Sequence, residues 1–383
     1  MKIKIVTAAV LGLLATSTFA APTIYGEIDA SVDYLPEKNA KTANRDVWEI
    51  SSNISFIGIK GDEKLTDRLS AVYAAEWGLS ADGDSTDWTQ RNRFVGLKDS
   101  QLGTIKIGVH DTPVKQLSSA VDTFNNYVAN RADVNGIFTG ENRIDNTVVY
   151  ESPVVKLLDG GFKFNALLAT GESSGIKATS GGAKVAGRGL GDAWSASVTY
   201  ENPLLVAGIG YDKAIPSNFL GRGFLNASEK AIAGDQLLAA ANTVRVIGKV
   251  TPIEGLALKA LYQTSKVEET DNSTYSSSAE DQVKYVKWRA DIQNIDDAQG
   301  WLLGAEYNIP QAKSWTVKGQ YSQNDTSFKN NTADFKAKQI IGGVDYAFNK
   351  QVKTYGYAGY LTLEQADKKD KQPVAGLGLE FKF

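Results

Sequence analysis

Hydrophobicity alternates with a period of two residues along most of this 383-residue chain, and this pattern restricts the fold more than any other feature. In residues 23–34, one parity is apolar or small, whereas the other carries Glu27, Asp29 and Asp33. Residues 374–383 repeat the pattern. Because successive side chains of a strand point to opposite faces, each segment predicts a β-strand with one apolar face and one wet face.

Sixteen such segments follow one another along the chain. They lie near residues 23–34, 48–61, 68–79, 89–98, 103–110, 145–153, 161–171, 193–202, 204–214, 242–252, 256–268, 299–309, 315–324, 337–348, 351–362 and 374–383. The connections alternate in length. The short ones contain Asp, Asn, Pro or Gly, which favour tight turns. The long, polar ones are residues 35–47, 80–88, 111–144, 172–192, 215–241, 269–298, 325–336 and 364–373.

Short turns at one rim and long loops at the other are typical of a bacterial outer-membrane β-barrel. After residue 20, no stretch approaches the eighteen apolar residues of a membrane-spanning helix. We therefore predict an all-β, transmembrane antiparallel barrel of about sixteen strands, with short periplasmic turns and long external loops. Its apolar parity faces lipid and its polar parity faces a wet lumen.

Composition excludes several classes of function. The formal net charge of -3 lacks the basic excess of a nucleic-acid-binding protein. The chain has no Cys and one His, which excludes disulfide frameworks, Cys-ligated metals and most His-based catalysis. We expect no cofactor and no metal.

Residues 1–20 read as a processing segment. Lys2 and Lys4 precede a short apolar run, and Thr18-Phe19-Ala20 places small residues where a signal peptidase cuts. We expect cleavage after Ala20, export, and a single barrel domain over residues 21–383.

Aromatic residues cluster near the predicted strand ends, where Tyr and Trp suit the headgroup level of a membrane. They are Tyr25, Tyr34, Trp48, Trp77, Trp88, Trp194, Trp315, Phe348, Phe381 and Phe383.

Several stretches resemble general porins of Gram-negative bacteria, most closely the neisserial and betaproteobacterial type. RNRFVGLK at residues 91–98, followed by LGTIKIG at 102–108, resembles the fourth-to-fifth strand hairpin of that family. IYG at 24–26, IGIKGDEKL at 57–65 and NTVVYESP at 146–153 resemble its first strand, second hairpin and sixth strand. The aromatic residues Phe381 and Phe383 resemble the signal that the outer-membrane assembly machinery reads in porins.

The resemblance implies a homotrimer in the outer membrane, in contact with lipids and lipopolysaccharide, with one water-filled pore per subunit for small hydrophilic solutes. It also implies that the third long loop, residues 111–144, folds inward and narrows the channel. We expect its apolar residues to pin it to the wall. These are Val121, Phe124, Tyr127, Val134, Ile137 and Phe138.

Porins of this type set acidic residues of that loop against a basic wall, and the resulting field screens solutes by charge. By resemblance, Arg91 and Arg143 fall at wall positions, and by parity Arg93 and Lys106 join them. The loop acids are Asp111, Asp122, Asp133 and Glu141. Glu27 and Asp29 make the first strand acidic, and Phe56 stands where relatives often carry a base. These departures predict a modest cation preference.

Other chemistry finds little support. His110 is the one base available to a Ser-His-Asp hydrolase, and no Ser motif lies near it in sequence. Asp82, Asp84 and Asp87 fail the spacing of a calcium loop. We expect a passive channel without enzymatic activity. Two alternatives stay open: a substrate-preferring porin with Phe56, Phe124 and Tyr127 near the constriction, and a secreted β-rich binding or adhesion protein.

Overall fold

The computed structural model describes residues 21–37, 45–172, 176–177, 184–185, 189–220, 238–268, 294–329 and 331–383. The predicted processing segment, residues 1–20, lies outside this part of the chain. None of the helices among the described residues is long and apolar enough to span a membrane.

Strands make up nearly all regular structure. They are β1 (Thr23–Glu37), β2 (Arg45–Ser52), β3 (Phe56–Lys64), β4 (Leu69–Gly78), β5 (Thr89–Asp99), β6 (Gly103–Asp111), β7 (Arg143–Glu151), β8 (Val155–Leu157), β9 (Gly160–Ala169), β10 (Ile176–Lys177), β11 (Lys184–Val185), β12 (Ala193–Glu201), β13 (Leu205–Asn218), β14 (Leu238–Ile253), β15 (Leu256–Val267), β16 (Ile295–Asn308), β17 (Trp315–Phe328), β18 (Phe335–Ala347), β19 (Val352–Gln365) and β20 (Lys368–Lys382). Three short helices, α1 (Pro113–Ser118), α2 (Tyr127–Asn130) and α3 (Val134–Ile137), lie between β6 and β7.

The strands form one antiparallel sheet that closes on itself. Eighteen strands belong to it, and β10 and β11 form a separate pair. β2 and β3 both pair with β1, and β7 and β8 both pair with β9. Each of these two sets is therefore one interrupted strand of the barrel; we call each strand position of the barrel a stave. Sixteen staves result (18 − 2), and β1 pairs with β20 to close the barrel. The predicted fold and strand number are confirmed.

Asp and Asn side chains close several of the short turns. Asp99 Oδ1 accepts hydrogen bonds from the backbone N–H groups of Gln101 and Leu102 at 2.8 and 3.0 Å. Asn202 and Asn349 do the same for the residues that follow them. These side chains replace the ladder hydrogen bonds that the reversing backbone loses.

One boundary prediction is wrong. We expected a long loop at residues 364–373, but β19 runs to Gln365 and β20 begins at Lys368. Ala366 adopts a positive φ of 55°, so the chain reverses within two residues. The Lys and Asp residues of this segment are the polar tips of paired strands, which composition alone does not distinguish from a loop.

The outer surface carries an apolar belt between two aromatic girdles. Exposed belt residues include Leu377 (70%) and Ile340 (59%). Trp315 packs on Tyr346 at the short-turn rim, with ring centroids 4.8 Å apart. Tyr34 packs on Trp48 at the long-loop rim, at 4.9 Å. Aromatic belts at two levels are typical of a barrel that crosses a bilayer.

Candidate pore constriction

The 31 residues between β6 and β7, residues 112–142, fold into the barrel; we call them the inner loop. Thr112 Oγ1 caps α1 by accepting from Lys115 N at 3.2 Å, and Asp133 Oδ1 caps α3 by accepting from Gly136 N at 3.0 Å. These local caps give the loop short rigid pieces, which lowers the entropy lost when it docks.

Apolar side chains of the inner loop pack against the lumen wall as predicted. All six anchors are at most 4% exposed: Val121, Phe124, Tyr127, Val134, Ile137 and Phe138. They join one cluster with wall residues Ile247, Leu261, Leu302 and Ile341. Burial of such a side chain contributes about 1.5–3 kcal/mol, so together they outweigh any one polar contact.

Arg245 of β14 is the central polar anchor of the inner loop, and its side chain is fully buried. Its guanidinium donates to the carbonyl oxygens of Val114 at 3.1 Å and Thr139 at 2.7 Å, and it forms an ion pair with Glu141. Gln263 on the neighbouring strand accepts from Arg245 Nε at 2.8 Å. One arginine thus joins both ends of the loop to the wall.

A second anchor holds the middle of the loop. Lys318 Nζ donates to the Tyr127 hydroxyl at 2.7 Å and to Asp345 at 2.9 Å, and Tyr127 stacks on Tyr355 with centroids 4.3 Å apart. Burial and the neighbouring Asp345 raise the pKa of Tyr127, so the phenol stays protonated. Asn53 Oδ1 accepts from Ala129 N at 2.8 Å.

Lumen-facing glycines make room for the inner loop. A Cβ at Gly304 would lie 2.6 Å from Thr123 Oγ1, and one at Gly300 would lie 2.5 Å from Phe138. A Cβ at Gly208 would lie 2.8 Å from Leu117. Our sequence reasoning missed these glycines and Arg245, because nothing in the local pattern tells which wall positions the loop will contact.

Most contacts of the inner loop run along the wall from β9 to β19. Others reach Asn53 before β3, and His110 and Asp111 at the end of β6. Most lumen-side residues of β3 to β5, and Lys106 of β6, stay partly exposed, and we call the lumen face of β3 to β7 the open wall. Three of the predicted basic residues lie on this open wall. Arg91 lies 3.7 Å from Glu76, Lys106 pairs with Glu151 at 2.8 Å, and Arg143 pairs with Asp111 at 3.1 Å. These pairs are partly exposed, so water screens them.

Arg93 does not join them, and its predicted lumen position is wrong. The pairing of β4 with β5 shifts by one residue between Ala75 and Trp77, which forms a β-bulge at residues 91–92. Beyond the bulge, Arg93 has the parity of Val95, which is 54% exposed on the outer face. A single extra residue reverses the side of everything after it, so a parity count across a bulge fails.

The loop acids divide into two groups. Asp111, which we predicted on the loop, is instead the last residue of β6, so it lies on the basic wall beside Arg143 and also pairs with Lys115 at 2.9 Å. Asp133 is buried as a helix cap, and Glu141 is used by Arg245. Asp122 is half-buried and accepts from Val134 N at 3.3 Å. Burial and the nearby Glu141 raise the pKa of Asp122 to about 7. Asp133 and Glu141 therefore do not form an acidic face toward the channel, contrary to our prediction.

The first-strand acids are also withdrawn from the channel. Asp29 is 1% exposed and accepts from the Tyr355 hydroxyl at 2.5 Å. Glu27 is 8% exposed and lies 3.6 Å from Lys382. Glu27, Asp29 and Glu380 lie close enough to share a cation, but Lys382 already supplies a positive charge there, so we assign no metal.

His110 and the two terminal aromatics complete the predicted set. Lys106 Nζ and Gln116 Nε2 each lie 3.4 Å from a ring nitrogen of His110. The described contacts of His110 do not include the Ser partner that a hydrolase needs.

Phe381 and Phe383 stack on the outer face of the short-turn rim, with ring centroids 6.1 Å apart.

Comparisons with known proteins agree with this architecture. The model of the Gram-negative porin family matches residues 7–366. The major outer membrane protein P.IB of Neisseria sicca is 25% identical over 389 aligned residues, covering 99% of each chain. Among solved structures, the anion-selective porin from Comamonas acidovorans superposes with a TM-score of 0.66 at 19% identity, covering 95% of this chain and 99% of the other. The trimer form of OmpT from Vibrio cholerae gives 0.59 at 16% identity, covering 95% and 99%.

A closed barrel with an apolar belt, two aromatic girdles and a lumen narrowed by an inward loop defines a transmembrane channel of the bacterial outer membrane. The chain belongs to the Gram-negative porin family. It is a passive outer-membrane diffusion channel, and the predicted family and location are confirmed.

Proposed function

We propose that small hydrophilic solutes cross this channel between the inner loop and the open wall of β3 to β7, and that this gap sets the size limit. The docking of the inner loop supports the proposal: one side of the loop is buried against the wall, so its other side bounds the remaining opening. No reaction, cofactor or energy coupling takes part.

Liposome swelling with sugars of graded size tests the size limit. Deleting residues 120–135 removes the middle anchors, so larger sugars should enter and single-channel conductance should rise. Deleting residues 270–290, which join β15 to β16 outside the described part of the chain, serves as the control. Unaltered swelling after the first deletion in a folded protein would contradict a size limit set by the inner loop.

The charged residues that line this gap determine the ion preference of the channel. Three cations of the open wall and one of the inner loop, Lys115, are paired with three acids of the open wall. The wall cations are Arg91, Lys106 and Arg143, and the acids are Glu76, Asp111 and Glu151. Exposed Lys60 adds a further cation. The other acids that we predicted at the constriction or on the first strand are buried, hydrogen-bonded or ion-paired. We therefore propose a modest anion preference, opposite in sign to the preference that the sequence predicted.

The assembly that we propose is a homotrimer. Arg93 supports it, because it points outward in the barrel wall and its Nε is shielded without a hydrogen-bond partner among the described residues. An arginine on the lipid face costs about 2–4 kcal/mol near the bilayer midplane, whereas a neighbouring subunit can supply an acceptor. Native mass spectrometry should detect trimers that Arg93→Leu weakens, while Lys213→Leu on the far strands leaves them intact.

Outer-leaflet lipids and lipopolysaccharide are the proposed partners of the external rim. Four lysines project outward just beyond the apolar belt: Lys336, Lys338, Lys369 and Lys371. Glu364 pairs with Lys338 and Lys369, which leaves a positive excess at the level of lipid phosphates.

Recognition of Phe381 and Phe383 by the assembly machinery, and cleavage after Ala20, remain predictions.

The two alternatives fare differently. Phe124 and Tyr127 are buried behind the inner loop, so they cannot form a substrate site at the constriction. Phe56, by contrast, lies on the open wall, 6.1 Å from Tyr25. A soluble binding protein does not require the exposed apolar belt, and we set that alternative aside.

A further inference from the structure

Three aromatic rings on the open wall of the channel each lie beside a cation. The Arg91 guanidinium lies 4.6 Å from the ring centre of Phe56, and Lys60 Nζ lies 4.5 Å from that of Tyr25. Lys106 Nζ lies 4.5 Å from the ring centre of Phe94. We call these the three ring–cation pairs.

The three pairs lie at regular intervals along the wall, as their positions relative to β4 show. In the strand ladder, Phe56 is opposite Gly78 and Phe94 is opposite Ala74. Tyr25 is opposite Gly58, which is itself opposite Glu76. The three positions on β4 are two residues apart, and two residues of strand rise about 7 Å. The rings therefore form a row that runs from the level of the constriction toward the periplasmic rim.

The row remains accessible from the lumen. Phe56, Tyr25 and Phe94 are half-buried rather than covered, and the inner loop packs on other strands. Their partners across the ladder are small: Gly78 opposite Phe56, Gly58 opposite Tyr25, and Gly108 opposite Phe94. The Tyr25 ring itself covers Gly58, and Thr89 Oγ1 lies where a Cβ at Gly78 would be, so these glycines let neighbouring side chains pack close to the wall.

Each pair offers two kinds of contact at once. An aromatic ring favours stacking with another ring, and a cation favours a carboxylate. Glu76 and Glu151 already engage Arg91 and Lys106, so simple anions gain little there, whereas a ring that stacks gains an additional contact. A solute that carries both a planar ring and one negative charge matches the row better than one with either feature alone.

We propose that the three ring–cation pairs form a binding track that favours aromatic carboxylates over non-aromatic anions of equal size. This inference rests on the proposed diffusion function and adds a substrate class to it. Stacking of one aromatic pair changes an equilibrium by about two- to tenfold, so the track gives a preference rather than strict selection.

The test compares the permeability of benzoate with that of cyclohexanecarboxylate, which has the same charge and similar size but no aromatic ring. Reversal potentials of the full-length protein in planar bilayers give the ratio directly. The wild type should favour benzoate by at least about twofold. The double variant Phe56→Leu/Phe94→Leu should bring the ratio close to one, because two of the three stacking rings are lost while no charge is altered.

Phe164→Leu, on the outer face of β9, is the matched control and should keep the wild-type ratio. A wild-type ratio of one, or a ratio that persists in the double variant, would overturn the track while leaving the channel function intact. Absence of potassium chloride conductance in the folded wild type would instead refute the proposed diffusion function itself.

Discussion

At the scale of single residues, Arg245 shows how one buried charge can fix a long loop. Its hydrogen bonds reach Val114 and Thr139, which lie 25 residues apart in sequence (139 − 114). Removing one partner of a buried ion pair typically costs about 3–5 kcal/mol, because the remaining charge has no compensation. Replacing both partners by apolar residues is far less harmful.

We expect Arg245→Met and Glu141→Leu, each alone, to loosen the inner loop, and the double variant to restore much of its order. Single-channel recordings should show added current noise and larger conductance in both single variants. Lys249→Met is the control, since it lies on the same strand and lumen face without a described contact to the loop. Fully additive effects in the double variant would mean that the pair does not act as a unit.

Asp122 gives the inner loop a dependence on pH. Its pKa of about 7 in the folded protein is higher than in an unfolded chain, because burial and Glu141 disfavour the charged form. Such a group stabilises the docked loop fully at low pH, and this stabilisation is lost as pH rises through about 7. The docked loop is therefore expected to be firmer at pH 5 than at pH 8.

Hydrogen exchange of residues 112–142 measures this effect. Wild type and Asp122→Asn should differ less in exchange rate at pH 5 than at pH 8, where the variant should be better protected because it cannot acquire the buried charge. Comparing the two proteins at each pH removes the intrinsic pH dependence of exchange. Equal protection at both pH values would assign the loop's stability to its apolar anchors alone.

At the scale of elements, the inner loop and the wall are shaped for each other. Gly304 is the clearest case, because the nearest atom to a Cβ there belongs to Thr123 of the loop. A side chain at this position must displace the loop rather than the strand. Gly342, on the outer face of β18, has its nearest atom 3.9 Å away, so added bulk there is tolerated.

We therefore expect Gly304→Val to shift the inner loop and change single-channel conductance, whereas Gly342→Val leaves conductance unchanged. Both variants add the same β-branched side chain to a strand, so differences in strand propensity cancel. Folding into the membrane is checked by the resistance of each barrel to unfolding by heat in detergent. Equal conductance in the two variants would show that the loop adjusts without moving the constriction.

Elements also decide what the sequence alone could predict. Strand positions follow from alternation that each segment carries by itself, and so the sixteen staves were predictable. Alternation predicted correctly which residues face the lumen along continuous ladders. It predicted the wrong side for Arg93, because a β-bulge shifts the register there. The roles of Asp133 and Glu141 depend on contacts with distant strands, which a pattern read along the chain does not contain.

At the scale of the whole molecule, charge selectivity depends on which groups the docked loop leaves facing water. Arg91 and Arg143 stay on the open wall, whereas Asp29, Asp133 and Glu141 are buried or bonded. Unit charges about 10 Å apart in water interact by about 0.4 kcal/mol, and salt weakens this further. No single group is therefore a strict filter, and the sum gives a preference of a few fold.

Reversal potentials in a potassium chloride gradient measure that sum. The wild type should favour chloride modestly at low salt, and the preference should fade as ionic strength rises. Arg91→Ser and Arg143→Ser should each shift the potential toward cations, because each removes positive potential from the open wall. Asp133→Asn, which changes a buried acid by one atom, should leave it nearly unchanged. A cation preference in the wild type would mean that Glu76, Asp111 and Glu151 outweigh the basic residues that they face.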